Sequence, residues 1–286
     1  MHRAMTTFRR LLSVVLATAL LPSFASLAQE KSPTVVSEVR EASEYKLEEP
    51  PNRGLDANLY LQTSAEYRAA CYQAYNWAAV RVEQRLKTRV DTSKSPCVIF
   101  DLDETVLDNY NFQTEQIRQG IAFDLKRWEK WEQTGQDKIG VIPGAVEFIN
   151  KLKEMGVARF YITNRNDKAR EQTMSALRRH DIDVPQGQLL CADEKTGSNK
   201  TTRRQQAMDK FDVLLIIGDN LRDFDDAFRY DKTTGIDGRK QTVDSTAAKF
   251  GADWIIIPNP AYGEWTKAFT YSESDKNLLM PPPEKP

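Results

Sequence analysis

Histidine is almost missing from this chain: there are two in 286 residues, His2 and His180. His180 closes a basic helical segment, Arg178-Arg179-His180. A phosphohistidine mechanism, a zinc site built on several imidazoles and a Ser-His-Asp triad all need histidine placed with partners. One histidine beside two arginines suits none of them. Catalysis has to rest on carboxylates, hydroxyls, lysine and a hard metal. Cysteine is scarce too. Cys71, Cys97 and Cys191 are odd in number and widely spaced, which is no disulfide framework. Cys97 in an apolar run and Cys191 after Leu189-Leu190 read as small buried hydrophobes.

Long hydrophobic runs are also lacking. Leu11 to Leu21 is the longest, and it is too short to span a bilayer as a stable helix. Arg3, Arg9 and Arg10 precede it, and Ser26-Leu27-Ala28 follows with the small residues a signal peptidase reads. Residues 1–28 are therefore expected to be a signal peptide cut after Ala28, with Ala25 the second choice and an uncleaved anchor the alternative. The protein is expected to be exported, periplasmic or secreted, without a membrane span. Loss of three arginines leaves 37 basic residues against 41 acidic ones, a balance of about −4. Such a surface has no electrostatic footprint for nucleic acid.

What remains is enough for one full core with appendages. Glu30 to Arg53 is polar and punctuated by Pro33, Pro50 and Pro51, so 29–56 reads as a linker. Tyr67, Cys71, Tyr75, Ala78 and Ala79 recur at helical spacing within 57–89, predicting one or two helices that start near Ser64. From Pro96 onward strands and helices alternate. Strands are predicted at 98–100, 157–162, about 188–191, 213–217 and 254–257. Helices are predicted after Pro143-Gly144, at 167–179 and near 200–210. Short apolar strands, each followed by a helix, argue for an α/β fold: a parallel, Rossmann-like sheet sandwiched by helices. A single domain over 57–270 is expected, with a flexible tail at 271–286. The segment at about 107–141 carries Tyr110, Phe112, Phe123, Trp128 and Trp131. It is too long for an ordinary strand-to-helix loop and is expected to form a small helical cap.

The strand Cys97-Val98-Ile99-Phe100 ends abruptly in Asp101-Leu102-Asp103-Glu104-Thr105. Ligands of open α/β sheets bind beyond the carboxyl ends of strands. Two aspartates crowded there are costly unless a cation or a substrate uses them. A solvated acidic turn is the plainer explanation, as a plain N-cap is for Thr163. Asp219 and Asp223 alone are unremarkable in the first turn of a helix. Taken together, however, Asp101 and Asp103, then Thr163, then Lys200, then Asp219 and Asp223 follow one another in order at the predicted strand and helix ends.

In Phe100-Asp101-Leu102-Asp103-Glu104-Thr105, Tyr161-Ile162-Thr163-Asn164-Arg165 and Gly218-Asp219-Asn220-Leu221-Arg222-Asp223-Phe224, the chain resembles the haloacid dehalogenase superfamily of aspartate-nucleophile phosphotransferases. Within it the chain is similar to the class C bacterial acid phosphatases, over about Tyr60 to Trp265. It lacks the lipidated cysteine of that class's lipoprotein members. The resemblance implies a phosphomonoesterase with Asp101 as nucleophile; spacing alone does not separate Asp101 from Asp103. A carboxylate that attacks phosphorus splits one hard displacement into two easier ones. Asp103 is expected to protonate the leaving group and later activate water, which implies an acidic pH optimum. Thr163 and Asn164, with amides at the following helix start, are expected to hold the phosphate with Lys200; Lys195 is the rival lysine.

Mg2+ suits an all-oxygen site. By resemblance its ligands are Asp101, the Asp103 main-chain carbonyl and Asp219, with Asp223 orienting them. Trp128, Trp131 and Tyr262 are candidates for stacking on a base, and relatives imply nucleoside monophosphates as one substrate class. Helical spacing gives the two tryptophans core packing as their other reading. A phosphotransferase on the same scaffold and a non-enzymatic ligand-binding protein are the alternative functions.

Overall fold

The computed structural model describes residues 54–90 and 93–268. The expected signal peptide, most of the linker and the tail at 271–286 lie outside them. Nine α-helices and seven strands are assigned among the described residues. Helices α1 (Leu55–Thr63) and α2 (Ala65–Thr88) come first. α1 thus starts two residues before the domain boundary expected at 57. Ser64 caps α2 by accepting a hydrogen bond from the Tyr67 amide at 3.0 Å. Tyr67, Cys71, Tyr75, Ala78 and Val82 then turn one buried face inward.

Five strands form the central sheet: β1 (Ser95–Phe100), β4 (Ala158–Asn166), β5 (Leu189–Ala192), β6 (Phe211–Gly218) and β7 (Trp254–Ile256). Their order is β5-β4-β1-β6-β7, and every pairing is parallel. The strands are apolar throughout because both sheet faces are covered. Val98, Phe100, Tyr161, Leu215 and Ile217 point into the larger core, shared with α2 and α5 (Ala145–Glu154). Cys97, Ile99, Phe160, Ile162 and Ile216 point to the opposite face, where Ala207, Phe224, Phe228 and Trp254 meet them. Period-two alternation along each strand makes this division. The three cysteines are buried free thiols, and burial pushes their pKa values up to about 11 for Cys71, 12 for Cys97 and 11 for Cys191.

Between β1 and α5 the chain makes a two-stranded antiparallel ribbon, β2 (Leu107–Asp108) with β3 (Gly140–Val141). It encloses α3 (Tyr110–Gln119) and α4 (Leu125–Thr134). Phe112 packs against Phe123, Trp128 and Trp131, with ring centroids 6.4, 5.1 and 5.6 Å away. Buried Glu132 of α4 accepts from the Asn166 amide at 3.3 Å, seating this insertion on the end of β4.

The remaining helices are α6 (Arg170–Arg178), α7 (Thr201–Lys210), α8 (Leu221–Phe224) and α9 (Gly235–Ser245). α9 buries none of its residues, so it carries no apolar periodicity by which its sequence announces a helix. β4 differs most from expectation, running four residues past the predicted end at 162. No described helix is long and apolar enough to cross a membrane.

Candidate active site

β1 lies between β4 and β6 in register, with Phe100 paired to Tyr161 on one side and Ile217 on the other. The chain leaves β1 toward β4 and β5, then returns to β6 on the opposite flank. This reversal opens a crevice at the carboxyl ends of the strands. Asp101, Thr163 and Asp219 stand there, each one or two residues beyond a paired position. The Asp101 amide is still held by the Ile217 carbonyl at 2.9 Å.

Asp101 is buried, and its two oxygens have separate partners. Lys200 Nζ donates to Oδ1, and the Thr105 hydroxyl lies 3.2 Å from Oδ2. The same hydroxyl lies 3.2 Å from Asp219 Oδ1, while Asn259 Nδ2 donates to Asp219 Oδ2 at 2.8 Å. Lys200 also donates to Asp223 Oδ1 at 2.7 Å. Burial pushes the Asp101 pKa up to about 7; Lys200 opposes the rise, and Asp223 and Asp103 add to it. Asp219 is driven well above the ordinary carboxylate range by burial first, then by Asp223 and Asp101. Burial also works against the charge on Lys200, but Asp101 and Asp223 outweigh it and hold its pKa above that of a free lysine.

One oxygen from each of Asp101, Asp219 and Asp223 falls within 4.8 Å of the others. Three carboxylates thus face one ammonium group in a buried place. A second positive charge fits there, and an all-oxygen donor set suits a hard divalent cation.

Asp103 is two residues away and in a different environment. Its Oδ1 accepts from Arg165 Nε at 2.9 Å and from Asn109 Nδ2 at 2.9 Å. Its Oδ2 faces the Thr163 hydroxyl at 3.4 Å. Just after the second aspartate the chain makes a tight turn in which Glu104 is left-handed at φ 58°, a costly conformation for a non-glycine residue. Glu104 is itself buried, and burial lifts its pKa well above the carboxylate range.

Two expectations about local geometry need correction. Thr163 and Asn164 do not adjoin the helix start, because β4 continues through Asn166; a 3-10 turn at Asp167–Ala169, the predicted opening of that helix, then leads into α6 at Arg170. The Thr163 hydroxyl accepts from the Arg165 amide at 3.1 Å inside that extension. Exposed Asn164 is tied by its Oδ1 to Arg203 at 2.8 Å. Nor do Asp219 and Asp223 share the first turn of a helix. β6 ends at Gly218 and Asn220 is the N-cap of α8, which leaves Asp219 outside the helix. A capping box brings Asp223 back, its Oδ2 accepting from the Asn220 amide at 2.9 Å.

Of the two candidate lysines, Lys200 is buried among the carboxylates, whereas Lys195 is exposed. Trp128 and Trp131 pack on Phe112, and the Trp131 indole donates to Asn109 Oδ1 at 3.0 Å. Tyr262 lines a groove of about 590 Å³ together with Asp219, Asn220, Asn259 and Trp265. Thr105, Asn109, Arg165 and Asn259 carry contacts that no expectation assigned to them. Arg165 and Asn259 lie within three residues of a predicted strand end, the one signal by which sequence marks them, whereas Thr105 lies in the turn after β1 and Asn109 just past the short ribbon strand β2.

The model of the HAD superfamily, subfamily IIIB (Acid phosphatase), matches residues 25–265. Two structures of the class C acid phosphatase from Bacillus anthracis, one with tungstate bound, are similar to this chain. Each shares 31% identity at a TM-score of 0.69, covering 79% of this chain and 93% of its own.

Proposed function

This chain belongs to subfamily IIIB of the HAD superfamily, the acid phosphatases, and from that premise we propose that it is an exported, Mg2+-dependent enzyme cleaving small phosphomonoesters through an aspartyl-phosphate on Asp101. The observation that carries this reading is the contrast between Asp101 and Asp103. Asp101 is buried beside Lys200 and two further carboxylates, while Asp103 is held among the N–H groups of Arg165 and Asn109. Two carboxylates in unlike surroundings divide into nucleophile and acid.

Asp101, Asp219 and Asp223 offer the side chains to hold the divalent ion, with the Asp103 main-chain carbonyl the remaining candidate ligand. When bound, it neutralises charge on the equatorial phosphoryl oxygens. Lys200 adds a fixed positive charge at the attacking oxygen, and Thr163 a hydroxyl beside the phosphoryl group. Asp101 attacks phosphorus while Asp103 gives its proton to the departing alkoxide. Asp103 then takes a proton from water, which attacks the acyl phosphate and returns Asp101. The need for a protonated Asp103 in the first half favours acidic pH.

Nucleoside monophosphates are proposed as one substrate class. Tyr262 and Trp265 present aromatic rings in the groove that contains Asp219, and such rings stack on flat bases. Export rests on the amino-terminal sequence, and fractionating expressing cells tests it. For the chemistry, p-nitrophenyl phosphate and AMP are offered with Mg2+ and with a chelator, and acid-quenched enzyme is searched for a phosphorylated Asp101 peptide. Turnover that needs Mg2+ and a phosphopeptide lost in Asp101→Asn are expected. Undiminished turnover by Asp101→Asn overturns the mechanism.

A further inference from the structure

We propose that Arg165 and Asn109 are positioning residues for Asp103: they occupy one oxygen of its carboxyl group so that only the other exchanges a proton with the leaving group. The inference rests on the reading of Asp103 as the acid and deepens it. Two N–H groups donate to Oδ1, Arg165 Nε at 2.9 Å and Asn109 Nδ2 at 2.9 Å, and the charged Arg165 Nη2 lies 2.8 Å from the same oxygen. An oxygen with two lone pairs has no capacity left for a proton of its own. Among the described residues the hydrogen-bond partner of Oδ2 is the Thr163 hydroxyl at 3.4 Å, which leaves that oxygen a lone pair to carry and release hydrogen.

The clamp is itself fixed. Arg165 and Asn109 are both fully buried. Asn109 Oδ1 accepts from Arg165 Nη2 at 3.0 Å and from Trp131 Nε1 at 3.0 Å. Two N–H donors on that atom decide which way the amide faces, so Nδ2 must point at Asp103. The Asn109 amide N–H donates to Glu104 Oε1 at 2.9 Å, and the Trp128 ring lies 5.6 Å from the Arg165 guanidinium carbon. Trp131 and Trp128 both belong to α4, so the insertion that covers the strand ends also sets the carboxyl's orientation.

In the transfer step, Asp101 oxygen bonds to phosphorus as the ester P–O bond breaks. The hydrogen on Asp103 Oδ2 moves to the departing oxygen, which leaves as an alcohol. Asp103 is left as a carboxylate, and the Arg165 guanidinium already touching Oδ1 balances the new charge. In the second half a water gives its proton back to Oδ2 while its oxygen bonds to phosphorus, and Asp101 is released with inorganic phosphate.

A positioning role differs from a structural one in its dependence on the leaving group. p-Nitrophenolate departs with little help, whereas an alkoxide needs its proton. kcat/KM is therefore measured for p-nitrophenyl phosphate and an alkyl phosphate with Asn109→Ala, Arg165→Lys, Trp131→Phe and, as reference, Asp103→Asn. General acid catalysis contributes about 10²–10⁴-fold, so Asn109→Ala and Arg165→Lys are expected to lose at least about 10-fold more on the alkyl ester. Trp131→Phe keeps the ring but not the indole N–H and is expected to show the same bias, more weakly; it carries the test if the other two fail to fold. Equal losses on both substrates, with Asp103→Asn biased, overturn the clamp alone. An unbiased Asp103→Asn enzyme overturns the acid assignment beneath it.

Discussion

Gly218 and Asp223 approach so closely that a Cβ on Gly218 would fall 2.5 Å from both Cβ and Oδ2 of Asp223. Asp223 has no room to retreat, since one oxygen is held by Lys200 and the other by the Asn220 amide. The glycine ending β6 is there to admit that carboxylate. Gly218→Ala is expected to cost about 1–3 kcal/mol by overpacking. Displacing Asp223 should also weaken Mg2+ affinity by about 10–100-fold. Denaturant melts and a Mg2+ titration of activity check both effects, and an alanine variant with unchanged Mg2+ dependence would count against the packing argument.

Lys200 is, among the described residues, the one ammonium group bonded to two of the clustered carboxylates. Lys200→Met removes it and leaves buried negative charge, a change worth about 3–5 kcal/mol when no other cation compensates. The loss of Tm is expected to be larger in chelator than in Mg2+, because the metal supplies part of the missing charge. Activity should fall by about 10²–10³-fold, the usual cost of one transition-state donor. Differential scanning calorimetry with and without Mg2+ reads the first effect directly.

Removing the metal should expose a pH dependence with a definite sign. Burial raises the metal-free Asp101 pKa to about 7, and Asp219 is raised as well. A raised carboxyl favours the folded state at low pH, and that contribution disappears as pH climbs from the ordinary aspartate range through about 7. The metal-free protein should lose stability across that window. A divalent ion competes with the same protons, so the rise in Tm on adding a fixed Mg2+ concentration should grow from pH 4 to 7. A gain that is flat with pH would mean that these carboxylates do not bind the ion.

Glu132 makes a second, separate pH signature outside the carboxylate cluster. Burial pushes its pKa up to about 7, against the pull of the Asn166 amide. Its protonated form suits the folded state, so stability is greatest near pH 4.5 and below and declines as pH passes through 7. Glu132→Gln keeps an acceptor for Asn166 and removes the titration. It should be more stable than the parent at pH 8 by about 1–2 kcal/mol and indistinguishable at pH 4, by chemical denaturation at each pH.

The strands and the order of the acidic motifs were legible in the sequence because each strand is an apolar run with a polar stop. Phe100-Asp101 and Ile217-Gly218-Asp219 are cases where burial on both faces ends at a solvent-facing crevice. α9 was not legible, since a helix with no buried residue leaves no period to detect. The end of β4 was missed for a related reason. Thr163-Asn164-Arg165-Asn166 is polar, yet buried Arg165 and Thr163 continue the strand because Asp103, Asn109, Arg203 and Glu132 satisfy them from elsewhere.

By itself the sequence determined the fold class and the set of reactive residue types. Apolar periodicity and the near-absence of histidine follow from composition and spacing, which need no coordinates. Only the tertiary structure decided which groups meet. Lys200 joins the cluster while Lys195 stays on the surface, Asn259 from the last strand end holds Asp219, and Arg165 faces Asp103 across 62 positions of chain. Side-chain pairing between strand ends depends on sheet order and register, and these arise from packing the whole core, which no local stretch of sequence encodes.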